Sequence, residues 1–355
     1  MTSIDQPHHV DGLESLSTAD PFVIAEIGVN HDGDPARAEA LVDAAAEAGA
    51  DAVKFQWFEP RRLLSRSARL AAYQAAAGEH DPITMLERLR LDADGLERAR
   101  LRAAHHGLRS VVTVFSPELV KEADRLAWDL YKMASPDVVN RPLLEAVAST
   151  GRPMIISTGG ATMSEVRLAL EWIPGRRPTL LHCVSSYPTP IESTALGGVR
   201  ALARAFGMVV VGYSDHTVSV HTGGLAVAAG AHVLEKHLTW NAEAEGPDHS
   251  ASLGPEAFKQ YVEFARQSAR MLGGPDKIPS PLERDVMASS RQSVAVLRDV
   301  AADQVLVCDD LTTMRPGTGV PAAALSTFVG TRTRRALEAG TLLDPTFLER
   351  PEAAS

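Results

Sequence analysis

The sequence predicts an α/β protein, a (β/α)8 barrel followed by a small β-rich domain. Eight short apolar segments alternate with eight helical segments over about 250 residues, the usual size of such a barrel. The apolar segments are nearly continuous, as expected for parallel strands covered on both faces. An open doubly wound sheet is the alternative fold. No Gly-x-Gly-x-x-Gly motif follows the first strand, which disfavours a dinucleotide-binding version of that sheet.

Each predicted strand is a short apolar run rich in β-branched residues. The strands span residues 22–27, 51–56, 110–115, 130–133, 153–156, 179–183, 208–213 and 232–237. Pro35 and Gly49 favour the start and the end of the first helix. The helices span residues 36–48, 93–106, 117–126, 141–149, 163–172, 194–206, 218–229 and 255–271. Residues 58–90 form a long connection, which we expect to be functional or to carry short helices.

The domain boundaries follow from changes in this pattern. Residues 1–20 form a polar tail, 21–272 the barrel, 273–290 a linker and 291–350 the small domain. Within the small domain, residues 293–297 and 305–307 are predicted strands, and residues 314–319 form a turn.

The composition excludes several classes of protein. A net charge of −10 argues against binding to nucleic acid or to a membrane surface. Two cysteines suggest neither a disulfide framework nor a zinc cluster. No apolar run reaches the roughly 18 residues of a membrane span, and residues 1–20 do not resemble a signal peptide. We therefore expect a cytoplasmic protein.

Polar residues are concentrated where the predicted strands end, which is where barrel enzymes place their active sites. Either Lys54 or Lys132 alone could form a structural ion pair. Two lysines at strand ends, together with nearby serines, favour a pocket for a phosphate or another anion. These serines are Ser135, Ser157 and Ser214.

Two histidines follow adjacent strand ends and suggest a metal site. His216 and His237 could hold a divalent metal and leave positions open for water and substrate oxygens, although each could also be a core residue. Glu26, at the end of the first strand, is a candidate base, with a helix cap or a salt bridge as the alternative. Asp248 could orient a histidine or bind a hydroxyl. A structural role in a loop turn would explain an aspartate at this position almost as well.

Taken in order, these segments resemble the sialic acid (nonulosonic acid) synthase family. The barrel motifs are AEIGVNH at 25–31, VKFQ at 53–56, YKMAS at 131–135, STG at 157–159, HC at 182–183 with YP at 187–188, SDHT at 214–217, EKH at 235–237 and GPD at 246–248. RPGTG at 315–319 is similar to the antifreeze-like (SAF) domain of that family. The resemblance covers about residues 20–350.

The resemblance implies a C–C bond-forming transferase. It would condense phosphoenolpyruvate with an open-chain N-acetylated hexosamine, N-acetylmannosamine or a related amino sugar, to give a nonulosonic acid and phosphate. A divalent metal on His216 and His237 would polarise the aldehyde, with Mn²⁺ first and Mg²⁺ or Co²⁺ as alternatives. Glu26 would act as the base. Phosphoenolpyruvate would contact Lys54, Ser116, Lys132, Ser135, Ser157 and Ser214, and the acceptor sugar Gln56, Asp137, Ser185, Tyr187, Asp248 and Arg315.

Members of this family are domain-swapped homodimers, so Arg315 would act in the active site of the partner chain. Departures from the family pattern include Ser185 in place of Asn, Asp137 in place of Glu and Trp57 in place of Thr. Most of them fall on the acceptor side. The precursor of a sialic, legionaminic or pseudaminic acid, or of a secondary-metabolite sugar, therefore stays open as the acceptor.

Other functions remain as alternatives. A related condensation with a phosphorylated sugar would need a second cationic cluster, which Arg61 and Arg62 could supply. A catalytically inactive sugar-binding barrel, or a binding module centred on the small domain, would belong to a different class. The presence of Glu26, both lysines and both histidines argues against an inactive barrel.

Overall fold

A computed structural model describes residues 20–207, 209–274 and 276–349 of the 355-residue chain. The predicted tail lies outside these residues except for Asp20. The chain divides into two compact units between Gly273 and Gly274. Among the described residues, no helix is long and apolar enough to cross a membrane.

Eight parallel strands in the described part of the first unit form a closed barrel in chain order, which confirms the predicted fold class. The first strand pairs with the last over five residues, from Phe22 opposite Val233 to Glu26 opposite His237. The strands are β1 (Phe22–Glu26), β2 (Ala52–Trp57), β3 (Arg109–Val114), β4 (Leu130–Met133), β5 (Met154–Ser157), β6 (Thr179–Cys183), β7 (Val211–Asp215) and β8 (Val233–His237).

Helices connect the strands and cover the outside of the barrel. They are α1 (Pro35–Glu47), α2 (Pro60–Leu63), α3 (Ala72–Ala76), α4 (Pro82–Leu89), α5 (Ala93–His105), α6 (Pro117–Ala123), α7 (Arg141–Ala148), α8 (Met163–Trp172), α9 (Gly197–Ala205), α10 (Thr222–Ala228) and α11 (Pro255–Leu272). Helix α10 begins at Thr222, later than the predicted residue 218. The Thr217 and Ser219 side chains accept hydrogen bonds from the backbone two residues on, which favours a turn there.

The long connection carries short helices, as predicted. Helices α2, α3 and α4 all lie between residues 58 and 90. Their apolar side chains form a small cluster in which Phe58, Met85 and Leu89 are buried together with Val29. This connection is therefore folded onto the loop that follows β1.

The barrel interior changes from apolar to polar along the strands. Its apolar layer consists of Phe22, Ile24, Ala52, Val111, Leu130, Ile155, Leu181 and Val233. Side chains two residues further along a strand face the same side. At those positions stand Glu26, Lys54, Thr113, Lys132, Ser157, Cys183 and Glu235. The period-two alternation thus places polar groups at the carboxyl ends of the strands, above an apolar floor.

The second unit contains a two-stranded antiparallel sheet, β9 (Ser293–Val296) with β10 (Leu311–Met314). The predicted strand at 305–307 is wrong, because Val305 makes only an isolated bridge to Arg332. The predicted linker contains the helix α12 (Arg284–Ser290). A core of its own, which includes Val294, Val296 and Leu306, lies in this unit.

Gly212 in β7 is a sensitive position in the barrel. A Cβ atom there would lie 2.2 Å from the Val233 carbonyl oxygen and 2.6 Å from Leu181 Cδ2. We expect Gly212→Ala to destabilise the barrel by about 1–3 kcal/mol, because the neighbouring strands would have to shift. Gly197→Ala is the matched control. Apart from its chain neighbours and the backbone of its own helix, no heavy atom of the described residues lies within 4 Å of a Cβ atom built there. We expect this variant to have an unchanged or slightly raised stability. Urea unfolding of both variants measures the difference; equal stabilities would contradict the prediction.

Candidate active site

A cavity of about 210 Å³ lies at the carboxyl ends of the barrel strands. Most of the residues that the sequence predicted for the site line it together: Glu26, Lys54, Gln56, Lys132, Ser135, Ser157, Tyr187, Ser214, His216, His237 and Asp248. They come from β1, β2, β4, β5, β7 and β8 and from the loops that follow the strands. Closure of the barrel brings these distant parts of the sequence to one place.

Two lysines and two glutamates form a buried ionic network on the cavity floor. Glu235 is its centre, because Lys132 Nζ lies 3.0 Å from one carboxylate oxygen and Lys54 Nζ lies 3.9 Å from the other. Lys54 also pairs with Glu26. The Ser214 hydroxyl donates to Glu235 at 2.9 Å. All four charged side chains are at most 6% exposed, so water screens these interactions weakly.

The pKa values reflect this burial. Burial lowers the pKa of Lys54 to about 7, although Glu235 acts in the opposite direction. Burial acts to raise the pKa of Glu235, but the charges of Lys132 and Lys54 outweigh it and lower that pKa to about 2. Glu235 is therefore ionised at neutral pH. The Lys54 ammonium, in contrast, loses its proton far more readily than a lysine in water.

Serine side chains stand beside this network. Gly159 N donates to Ser135 Oγ at 3.0 Å. A Cβ atom on Gly159 would lie 2.9 Å from Ser135 Oγ and 2.4 Å from Ser185 Oγ, so a larger residue there would force these hydroxyls to move. The buried Ser157 hydroxyl has no hydrogen-bond partner among the described residues. An unpaired buried hydroxyl costs free energy, which a ligand that binds it would recover.

His216 and His237 lie side by side at one corner of the cavity, with their ring centroids 5.5 Å apart. His216 Nδ1 donates to the Val184 carbonyl oxygen at 2.9 Å, so Nε2 is the ring nitrogen left to bind a metal. Burial acts to lower the pKa of His216, but the neighbouring Cys183 outweighs it and raises that pKa. Burial, reinforced by the neighbouring His216, holds the pKa of His237 well below its usual range. His237 is therefore neutral, the form that binds a metal.

These two imidazoles fit a metal with few protein ligands. No group of three or more His, Cys, Asp or Glu side chains in the described residues is arranged to hold a metal ion. His237 Nδ1 is buried without a hydrogen bond, and the Asp248 carboxylate lies 3.8 Å away. Imidazole nitrogen suits transition metals, and a metal held by two of them would take water or substrate oxygens as its other ligands.

Aromatic rings cover the histidine corner. The Tyr187 ring packs against His216 with a centroid distance of 4.1 Å. Tyr73, on α3, stacks on Tyr187 at 4.9 Å. The long connection between β2 and β3 therefore contributes a wall of the cavity.

Comparison with known proteins identifies the family. The NeuB family model matches residues 41–277, and the SAF domain model matches residues 291–349. The chain belongs to the NeuB family. N,N'-diacetyllegionaminic acid synthase of Legionella pneumophila is 37% identical, over 91% of this chain and 93% of that protein. N-acetylneuraminate-9-phosphate synthase of Mus musculus is 32% identical, over 82% of each chain. The crystal structure of N-acetylneuraminic acid (sialic acid) synthetase from Leptospira borgpetersenii, in complex with citrate, is 28% identical with a TM-score of 0.70, and the match covers 76% of this chain and 91% of that one.

These relatives confirm the resemblance that the sequence motifs indicated. This NeuB-family chain is a C–C bond-forming transferase that makes a nonulosonic acid by condensation. The second unit is an SAF domain. The identity of the amino sugar is a separate question, because the relatives differ in the acid that they make.

Four predicted residues lie apart from the lining of the central cavity. Ser116 is buried at the start of α6, and the Asp137 carboxylate accepts a hydrogen bond from Asn140 at 2.9 Å; neither lines the cavity as the structure describes it. Ser185 lines a neighbouring recess with Pro136, Val138, Val139 and Ala161. Arg315 lies in the second unit, in the exposed turn after β10.

Several residues that line the cavity were given no role from the sequence. Thr113, Cys183 and Glu235 each stand two residues after an apolar interior position, so alternation along the strands places them in the barrel interior, and for Glu235 on the same face as His237. Phe115 follows β3 directly. No local pattern shows that Tyr73 reaches the cavity, because the fold of the long connection decides where its ring lies.

Glu235→Gln would leave Lys132 buried beside a neutral amide. We expect a loss of about 3–5 kcal/mol in the free energy of unfolding, since breaking a buried pair strands a charge. Glu145→Gln at the exposed Arg141–Glu145 pair is the control, with an expected change within about 0.5 kcal/mol. The folded pKa of Glu235 lies below its usual 4.5, so its contribution is complete above pH 4.5 and is lost as the pH falls towards 2. Denaturant unfolding at pH 7 and at low pH measures the loss of stability and its pH dependence. Equal losses in the two variants would contradict the prediction.

Proposed function

We propose that this enzyme condenses phosphoenolpyruvate with the open-chain aldehyde of an N-acylated hexosamine and releases phosphate. The observation that carries the proposal is one cavity in which two buried lysines and an unpaired Ser157 hydroxyl lie beside two neighbouring histidines. One part of this cavity suits a phosphorylated carboxylic acid, and the other suits a metal and a carbonyl group. Binding both reactants in one cavity supplies the orientation that a bimolecular condensation needs.

Phosphoenolpyruvate carries a phosphate and a carboxylate, and the lysine side of the cavity offers donors for both. Lys132 has three N–H donors and uses one towards Glu235. The hydroxyls of Ser135, Ser157 and Ser214 surround the same space. Because the lysines are almost fully buried, their attraction for an anion is stronger than at an exposed site. These residues would hold the enol in a fixed orientation.

His216 and His237 would hold a divalent metal, with Mn²⁺ as the first candidate and Mg²⁺ or Co²⁺ as alternatives. When bound there, the metal would polarise the acceptor aldehyde as a Lewis acid. The His216 imidazole is held in place by its hydrogen bond to the Val184 carbonyl oxygen and by the ring of Tyr187.

Glu26 would act as the base of the reaction. C3 of phosphoenolpyruvate forms a bond to the aldehyde carbon, and the aldehyde oxygen takes up a proton to become a hydroxyl. Water adds at C2 and gives up one proton. The C2–O bond to phosphate then breaks, and the new C2 hydroxyl loses its proton to leave a ketone. Glu26 would take a proton from that water. Gly28 N donates to Glu26 Oε1 at 2.7 Å, and Lys54 holds the same carboxylate. Burial lowers the pKa of Lys54 to about 7, so the ammonium beside Glu26 loses its proton more readily than a lysine in water.

The acceptor sugar would lie towards the mouth of the cavity. Gln56 donates to the Gly28 carbonyl oxygen at 2.8 Å, which fixes its amide for a sugar hydroxyl. Burial raises the pKa of Asp248 to about 6, and this carboxylate faces His237. The recess beside Ser185 is mostly apolar and shares Ser135 and Pro136 with the central cavity. It would hold the N-acyl group or a deoxygenated carbon of the sugar.

A phosphorylated acceptor sugar has less support. Arg61 and Arg62 were the candidates for its phosphate. Arg61 lies 3.8 Å from Glu87 and Arg62 lies 3.4 Å from Glu122, so each already faces a carboxylate. Neither arginine lines the cavity in the described residues.

Release of phosphate from phosphoenolpyruvate tests the proposed function. We expect release to require both an N-acylated hexosamine and Mn²⁺, over a panel that includes N-acetylmannosamine and its 6-deoxy and diacetamido analogues. His216→Ala should reduce turnover by at least about 10²-fold, because it removes one of the two protein ligands of the metal. His221→Ala is the control, since His221 is exposed and packs on Phe264 away from the cavity. Near-normal turnover by His216→Ala would rule out the metal site, and no release with any acceptor would rule out the function.

The proposed swap of the SAF domain in a homodimer has its own test. If Arg315 binds the acceptor in the site of the partner chain, a heterodimer of Arg315→Ala and Glu26→Ala chains contains one intact site. We expect mixing the two inactive chains, by unfolding and refolding them together, to restore activity. Each variant refolded alone is the control. No recovery from a heterodimer verified by its two affinity tags would show that Arg315 does not act in trans.

A further inference from the structure

Two charged residues lie on the outer side of the barrel wall, next to the two cavity histidines. Asp215 ends β7 immediately before His216, and Lys236 stands immediately before His237 in β8. Because side chains alternate along a strand, the histidines face the cavity, and Asp215 and Lys236 face the helices. Both charged side chains are 0% exposed. The Lys236 ammonium lies 5.4 Å above the ring of Tyr261 on α11.

This buried pair connects β7 directly to β8. Asp215 and Lys236 are opposite each other in the strand register, and Lys236 Nζ lies 3.3 Å from Asp215 Oδ2. Lys236 also donates to the carbonyl oxygen of Thr217. Thr217 N in turn donates to Asp215 Oδ1 at 2.8 Å, and the Thr222 hydroxyl donates to Asp215 Oδ2. The backbone on both sides of His216 is therefore tied to the strand that carries His237.

Stability alone does not account for such a pair. Two apolar side chains of similar volume often stabilise a core as well as a buried ion pair does, because desolvation offsets the attraction. A salt bridge does require one relative position of its two strands, whereas apolar side chains tolerate small shifts. The pair thus fixes the ends of β7 and β8 relative to each other at the residues next to the histidines.

We propose that Asp215 and Lys236 are positioning residues that hold His216 and His237 at the separation a metal needs. The inference rests on the proposed metal site and goes beyond it, because neither residue faces the cavity. Residues that orient metal ligands from behind typically change metal affinity by about 10–100-fold when they are replaced. The pair sets how tightly the histidine corner binds its metal.

The test measures binding of Mn²⁺ alone to the full-length, metal-free protein, with free Mn²⁺ followed by electron paramagnetic resonance. The double variant Asp215→Asn/Lys236→Met removes both charges and keeps the side-chain sizes. We expect its Mn²⁺ dissociation constant to rise about 10–100-fold. The single variant Lys236→Met should lose both affinity and stability, because Asp215 is then buried without its partner. The double variant should regain part of that stability and none of the affinity.

Arg266→Met is the matched control for loss of an ion pair in the barrel. Arg266 Nη2 lies 3.1 Å from Asp51 Oδ1, ahead of the amino end of β2. We expect this variant to melt at a lower temperature and to bind Mn²⁺ like the wild type. An equal loss of Mn²⁺ affinity in Arg266→Met would mean that general destabilisation, and not positioning, weakens the site.

The outcomes separate the positioning role from the metal site itself. If a folded double variant binds Mn²⁺ as tightly as the wild type while His216→Ala does not bind, the positioning role is wrong and the metal site stands. If the wild type and His216→Ala bind Mn²⁺ equally, the metal site fails and the positioning role falls with it. If the double variant does not fold, the nearly isosteric variant Asp215→Asn replaces it. Its Mn²⁺ binding is then compared with that of the wild type and of His216→Ala in the same way.

Discussion

The register of the eight parallel strands is the constraint on which the cavity depends. Side chains alternate along a strand, so a shift of one residue would turn Lys54 or Glu235 out of the barrel and bring apolar groups in. Closure through β1 and β8 removes the free edges of the sheet and fixes this register around the ring. The chemistry of the site is thus a consequence of where each strand begins relative to its neighbours.

Charge balance explains how so many ionisable groups can be buried together. Lys54 and Lys132 are matched by Glu26 and Glu235, and the carboxylate of Glu235 lies near both lysines. Each lysine thus lies beside a carboxylate, and loss of one partner alone would leave a buried charge unpaired.

Much of the fold and of the cavity wall follows from sequence, because both depend on local periodicity. The apolar runs located all eight strands, and most of the residues predicted at their ends line one cavity. The predictions that were wrong concern features that depend on tertiary contacts. Asp137 follows β4 as expected, but its carboxylate accepts a hydrogen bond from Asn140 in the helical turn after that strand. The strand expected at 305–307 does not form, since a short apolar run carries little information about its partner.

Tyr73 shows that the site is not made by the barrel repeat alone. Its ring lies on Tyr187, which lies on His216, yet it comes from a segment that a (β/α)8 unit does not require. That segment, residues 58–90, packs mainly through its own apolar cluster with Val29 and Phe115. Insertions of this kind can change in length and sequence while the strands keep their register. The wall of the cavity beside His216 can thus change through this one connection, while the residues at the strand ends stay as they are.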